Sequence, residues 1–545
     1  MDAATRFDTQ IVGALPVLTQ YLERLDLADT VDDVVPWEGE VPLGTLVEVL
    51  ILNRLLNPKA LFRIDDWAQK SSVAEYYDLD PGELNDDRLG RALERLAGHS
   101  DAIQAALVLR AIRTFKLDVS QVHYDITDVE LFGAYELDLP EGQSPPTPLP
   151  AYGRTKSGRK NVKQVQLGLN VTGDGAVPLA HAPLDGNAAE ATTHVENLRR
   201  LRKMLQGHKL LYIGDSKLDT PENLLAVAAG NGQFLCGGVF NQKLQAVFLK
   251  DRGKLQPIAY HPKSQDALPP EERDQYQAFE RNELLRGKVD GRQVRVHYRM
   301  IFVWSEAKAR LEGQTRERHL AKIQEMFVAV QRNLNRYTLK TRDAILRRLE
   351  AAKGRYEEGK LLNYELSQDR AGKFQLLWRV DAKALAEWKK LEGVYVLKTS
   401  LSSRASPLAK TVAKYREQNK VERRFANLKG PLAVAPMFLK NPERIAGLLC
   451  ILVWSLMLLA LMERQVRRKL KGKPLYGLYP ENRPSPSPTG PALLECFSTL
   501  CIVIVRQRGV IRRRLAECSD IQQKLLQLLG IPPDDLRTFR RRCGM

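Results

Sequence analysis

The chain has 545 residues, 44% of them hydrophobic and 27% charged, an ordinary globular balance with length for several cores. Lys and Arg total 83 against 65 Asp and Glu, a net charge of +18. That excess suits nucleic acid, an anionic membrane surface or a generally basic surface, and charge alone does not choose among them. The six cysteines (Cys236, Cys450, Cys496, Cys501, Cys518 and Cys543) form no C-x-x-C pair and no Cys/His ligand spacing. This argues against a disulfide framework or a zinc site and fits a reducing cytoplasm.

The N-terminal MDAATRFD lacks the basic and then apolar regions of a signal peptide. Residues 1–117 are expected to be helical. Apolar residues recur at helical spacing in 15–27, 43–56, 89–96 and 103–115, punctuated by Pro16, Pro36, Pro42, Pro58 and Pro81. Arg54, Lys59, Arg63 and Lys70 add positive charge there, which fits a DNA-binding surface or a packing domain with a solvated basic face. From Val119 the period changes. Residues 119–132, 162–172 and 176–182 read as strands, the last two joined by the hairpin signal Gly173-Asp174-Gly175. Residues 209–214 read as another apolar strand, followed by a helix opening at Thr220-Pro221-Glu222. Three strands with a hairpin, then alternating helix and strand, predict a mixed α/β sheet over 118–235.

Residues 236–410 read as a β-rich insertion. It carries a strand at 233–240, a hairpin across Asp290-Gly291, long charged helices over 307–356, and strands at 361–366, 374–380 and 394–399. Helices are expected at 411–430 and 441–471, completing the core over 411–471. Residues 472–491, rich in Pro, Gly and Ser, read as a linker, so 472–545 is a linker and a basic helical tail. Residues 446–462, AGLLCILVWSLMLLALM, carry no charge and reach the short limit of a membrane span, about 17–25 residues. Asn441 as N-cap, Pro442 at the first helical position and the basic end at Arg464, Arg467, Arg468 and Lys469 instead read as a buried core helix.

Three carboxylates stand out. Asp125 lies mid-strand, sharing a face with His123 and Thr127. An ionised Asp there must be solvated, paired or metal-bound. Asp215 ends the apolar run 210–214, where ligand sites of α/β sheets gather and where turn residues also fall. Tyr415, Glu422 and Lys429 are spaced by seven, nearly two turns at about 100° per residue, so one helix would carry all three on one face. Gln418 lies near that face, and Val421, Phe425 and Leu428 form an apolar stripe beside it. A solvated amphipathic helix gives the same pattern.

Together these residues resemble the DDE transposases of bacterial insertion sequences, in the branch with a Tyr-x2-Arg-x3-Glu-x6-Lys signature and a β-rich insertion before the catalytic Glu. YREQNKVERRFANLK, from Tyr415 to Lys429, is similar to that signature. GRTKSGRKNVKQVQLGLNVTGDGAVPLAHAPLDGNAAEATT is similar to the family's basic loop, "KQ" strand and "GN…T" motif, and RIAGLLCILVWSLMLLALMERQVR to its core helix. The likeness runs through most of residues 10–470. The signature's Arg falls at Gln418, and Arg416 is no substitute, being about 160° away around a helix.

The resemblance implies an α/β fold: an RNase H-like mixed sheet flanked by helices, with an inserted β-rich domain and a helical N-terminal domain. It implies that Asp125, Asp215 and Glu422 are catalytic and bind two Mg²⁺ (or Mn²⁺) roughly 3.5–4 Å apart, which cleave and join phosphodiesters by in-line displacement. It assigns Tyr415 and Lys429, with Gln418 in place of the Arg, to phosphates of the transposon end. Arg154, Lys156, Arg159, Lys160 and Lys163 form a basic stretch expected to face DNA. Trp304 and Trp378 are candidates for stacking on a flipped base, against a core role. The implied partners are transposon-end and target DNA and a second copy in a synaptic complex, with no membrane, in a bacterial cytoplasm at the nucleoid. Two other readings are a catalytically inactive DNA-binding derivative and another RNase H-like nuclease.

Overall fold

The computed structural model describes residues 6–132, 135, 148–153, 155, 158–159, 161–434, 437, 439–507 and 510–532. The chain forms two compact units, Met1–Phe234 with Lys288–Val294 and Arg416–Met545, and Leu235–Gly287 with Arg295–Tyr415.

In the first unit a sheet is built on the strand Gln121–Leu131. Lys163–Thr172 pairs with it antiparallel, from Val122↔Thr172 to Leu131↔Lys163. Pro178–Leu184 pairs antiparallel with Lys163–Thr172 across the turn at 173–176, as the Gly173-Asp174-Gly175 signal predicts. On its other side Gln121–Leu131 pairs in parallel with Leu211–Gly214, from Gln121↔Leu211 to His123↔Ile213. The sheet is therefore mixed.

Strand alternation sends side chains to two helical layers. Tyr124 and its cross-strand partner Asn170 meet the helix Glu190–Met204: the Tyr124 and Thr193 hydroxyls are 3.2 Å apart, and Asn170 Nδ2 donates to Asn197 Oδ1 at 2.7 Å. On the opposite face His181 Nε2 lies 3.3 Å from Cys450 Sγ, in the helix Pro442–Leu470. That helix is long and apolar enough to cross a membrane, and its apolar window is wholly buried within the protein. It packs on the helices Asp86–Phe115 and Leu43–Leu56. At Gly447 a Cβ would come within 2.2 Å of the Leu93 carbonyl oxygen, so only glycine permits this close helix approach. The N-cap at Asn441, accepting from Glu443 N at 2.7 Å, starts the helix where the sequence predicts.

Both ends of the chain differ from the expected all-helical character. Arg6–Ile11 is a strand, paired antiparallel with Cys501–Gln507, which pairs in turn with Val510–Leu515. The cause is local: Cys501-Ile502-Val503-Ile504-Val505 is a β-branched run with period-two burial, Ile502 and Ile504 buried and their neighbours half-buried. The segment after the core helix is also tied down. Arg467 Nη2 donates to Pro488 O at 2.7 Å, and Gly490 N donates to Glu463 Oε1 at 2.6 Å.

The second unit holds the strand Val394–Thr399 and the strands Tyr276–Val289 and Arg292–Ser305 apart from their residues 288–294, with Val394–Thr399 pairing antiparallel with Arg292–Ser305. Phe248, Phe279 and Phe302 fill one core, with Trp304 packed against it. The helices Glu306–Arg332 and Arg342–Lys353 and the two-stranded sheet Leu362–Gln368/Phe374–Val380 enclose another, where Trp378 packs edge-on to Phe327 at 5.8 Å. Both tryptophans are thus engaged in packing.

Candidate functional site

Asp125 and Asp215 follow directly from the sheet register. His123 and Ile213 are cross-strand partners in the parallel pair. Asp125 and Asp215 each lie two residues further on, so they stand level, Asp125 in mid-strand and Asp215 just past the end of the adjacent parallel strand. Both are half-buried. Asp125 Oδ1 accepts from Ile126 N at 2.8 Å, and Asp215 Oδ1 accepts from Lys217 N at 2.8 Å, which caps the short turn after its strand.

Glu422 lies on a separate helix, Asn419–Lys429, packed on the Asp125 strand and its antiparallel neighbour. Three contacts fix the register of helix against strand. Gln121 Nε2 donates to Glu417 Oε2 at 2.9 Å, His123 Nδ1 lies 3.2 Å from Gln418 Oε1, and Lys429 Nζ is 3.2 Å from Asp128 Oδ1. The contacts advance along both elements in the same sense. From Gln418 to Glu422 is one helical turn, about 6 Å at 1.5 Å per residue. From His123 to Asp125 is about 6.6 Å at 3.3 Å per residue. Glu422, which is exposed, therefore lies level with Asp125.

The helix is pinned from its other side. Lys420 Nζ donates to Gly173 O at 2.6 Å, and Arg424 donates to Ala176 O and Gly175 O, both at 2.9 Å. Arg424 also pairs with Glu463 of the core helix at 2.9 Å, both side chains 4% exposed. Arg464 of the same helix pairs with Asp174 of the turn. Burial alone would raise the Glu417 carboxyl, but the Lys420 ammonium beside it wins and holds it below its ordinary value. Burial likewise acts on Asp174 and is outweighed by the Arg464 guanidinium, which holds that carboxyl low. Sequence reasoning missed this clamp. Its signal was the acidic Glu463 beside an otherwise basic helix end.

The single helix expected over 411–430 is two helices, Leu408–Arg416 and Asn419–Lys429. At the break, Lys420 N bonds to Glu417 O and Val421 N to Gln418 O, three residues back instead of four. The seven-residue spacing thus does not run along one continuous helix from Tyr415, which falls in the other unit. Gln418 is 8% exposed and faces the strand, its Nε2 donating to Tyr124 O at 2.9 Å. Of the basic stretch, Arg154, Lys156 and Lys160 lie outside the described residues. Arg159 pairs with Glu130 at 3.1 Å, and Lys163 Nζ donates to Tyr135 O at 3.0 Å. Among the described residues no three His, Cys, Asp or Glu side chains stand close enough together to hold a metal ion.

In the N-terminal region Arg63 is exposed, 5.7 Å from the centroid of the exposed Phe62 ring, and Lys70 pairs with Asp66 at 3.8 Å. Arg54 is buried.

Residues 7–105 match the family model of a domain of unknown function, DUF4277. No curated protein matches the chain. Among solved structures, the cryo-EM structure of a piggyBac transposase synaptic complex with hairpin DNA is similar at 9% identity, covering 98% of this chain and 87% of that one, with a TM-score of 0.38. A score that low does not establish a shared fold.

Proposed function

We propose that the chain is a DNA transposase of the DDE type that binds transposon ends and performs metal-dependent phosphodiester cleavage and strand transfer. One observation carries this reading: Asp215, just past the end of its strand, stands level with Asp125 on the adjacent parallel strand, and Glu422 is level with Asp125 on a helix packed over that strand. The order hairpin strand, hairpin strand, central strand, parallel strand supports an RNase H-like core.

The donor set is all hard carboxylate oxygen, which fits Mg²⁺ or Mn²⁺ better than a soft metal. Asp125 and Asp215 would hold such ions, and Glu422 would complete the set from the helix. Bound there, the ions supply activation of water or a DNA 3′-hydroxyl and stabilisation of the leaving oxygen. The remaining work belongs to the protein. Lys429, exposed at the end of its helix, offers a point charge to a phosphate in exchange for Asp128, and Tyr415 a phenolic donor. Both are backbone-positioning groups. In the second unit, taken by itself, Arg332, Arg336, Lys340, Arg347 and Arg348 are all exposed and in no ion pair among the described residues. They suit a polyanion. A homodimer bridging two ends is the expected working form.

That no three His, Cys, Asp or Glu side chains among the described residues stand close enough to hold a metal ion favours one alternative, a DNA-binding derivative without catalysis. One experiment separates them: incubation with Mg²⁺ or Mn²⁺ and the end DNA of the chain's own element, comparing wild type with Asp125→Asn, Asp215→Asn and Glu422→Gln. Cleavage by the wild type, lost in all three variants while DNA binding persists, is expected. Binding without cleavage by the wild type selects the inactive reading, and cleavage that persists in the variants overturns the triad.

A further inference from the structure

Arg54 lies near the end of the helix Leu43–Leu56 and is only 6% exposed. A buried cation is costly unless it is paired. Arg54 uses one of its donors, Nη2 to Lys59 O at 3.0 Å. Its Nε is enclosed by protein and makes no hydrogen bond, and Arg54 forms no ion pair among the described residues. Burial lowers the guanidinium to about 10, which leaves it charged at neutral pH.

The same side chain lines two clefts. The larger, ≈ 460 Å³, has an apolar wall that includes Leu15, Leu55, Trp67, Leu432 and Leu459. The smaller, ≈ 170 Å³, is walled mainly by apolar groups such as Leu61 and Val434. The larger volume falls within the usual range for small ligands, about 300–1,000 Å³. Glu495 and Lys70 also line it; both are exposed, and Lys70 is paired with Asp66.

We infer that the larger cleft binds a small amphipathic carboxylate, its anionic head on Arg54 and its apolar body against the leucine and tryptophan wall. A guanidinium presents a planar fork that matches a carboxylate. The apolar wall disfavours a fully hydrated dianion such as inorganic phosphate. This binding is independent of any reaction at Asp125, and its readout needs no DNA.

The test is calorimetric titration of the full chain with octanoate, with 1-octanol and inorganic phosphate as controls at matched ionic strength. Octanoate is expected to bind with one-to-one stoichiometry and both controls at least about tenfold more weakly, the margin expected for a charged hydrogen bond. Arg54→Met should weaken octanoate about tenfold or more while leaving the thermal midpoint unchanged or raised, because an uncompensated buried charge has been removed. Equal binding of 1-octanol would reduce the cleft to an apolar gap, and equal binding of phosphate would reduce it to a general anion site. Either overturns the inference, as does a wild type that ignores octanoate. The wild-type comparison decides the matter even if Arg54→Met does not fold.

Discussion

Gln418 stands where the resembled signature has arginine, and its side chain is turned toward the sheet. Its Nε2 donates to Tyr124 O, so its Oε1 is the acceptor facing His123 Nδ1. His123 Nε2 in turn lies 2.9 Å from Gln121 Nε2, so Gln418 belongs to a chain of side-chain polar contacts along that strand. One substitution therefore disturbs the set. Gln418→Ala is expected to lower unfolding stability by about 1–3 kcal/mol, the cost of unsatisfied buried polar groups. Gln418→Arg should also destabilise, because the site is buried and already filled. Urea unfolding of both variants checks this. An Arg variant that gained DNA affinity with no loss of stability would mean that the side chain faces outward after all.

At the scale of elements, the Glu422 helix is held by charge on its outer side. The Arg424–Glu463 pair is buried, and breaking such a pair costs about 3–5 kcal/mol. Glu463 keeps Arg467 at 3.4 Å, so Arg424→Met is expected near the low end. The helix amides should lose protection from hydrogen exchange before the sheet amides do. Protection lost equally in both would show that the helix is no separate unit. Acid should loosen the same clamp. Glu417 and Asp174 titrate below their ordinary values of 4.5 and 3.8 in the folded chain. Their contribution is therefore complete above about pH 5 and is lost as pH falls through their lowered folded values. The thermal midpoint should drop over that range, and Glu417→Gln should flatten the drop; an unchanged slope in that variant would remove Glu417 from the clamp. The strands and the hairpin turn at 173–175 were legible in sequence because alternation and turn chemistry are local. The break before Asn419 was not. It depends on Glu417 and Gln418 reaching Gln121, His123 and Tyr124, some 300 positions earlier, which no local period encodes. The terminal strands were legible in the β-branched run at 501–505, but the helical periods on either side outweighed it.

For the molecule as a whole, the excess of 83 basic over 65 acidic residues was visible from the start, whereas its distribution was not. Arg54, counted in the sequence among surface cations, is buried, and Arg424 and Arg464 are consumed in the helix clamp. Which cations stay free for a polyanion cannot be read from composition for this reason, and the fold sorts them: Arg332, Arg336, Lys340 and Arg347 remain exposed and outside any ion pair among the described residues. If they neutralise phosphates, each should contribute about 0.9 to the slope of log affinity against log salt concentration. Replacing all four by Ala should lower the slope by about 3–4 and weaken binding to end and non-end DNA alike, since phosphate contacts carry no base information. Fluorescence-anisotropy titrations at several salt concentrations measure both quantities. A slope unchanged from wild type would mean that this cluster is solvated surface and that the polyanion lies elsewhere. A loss confined to end DNA would mean that these cations read bases.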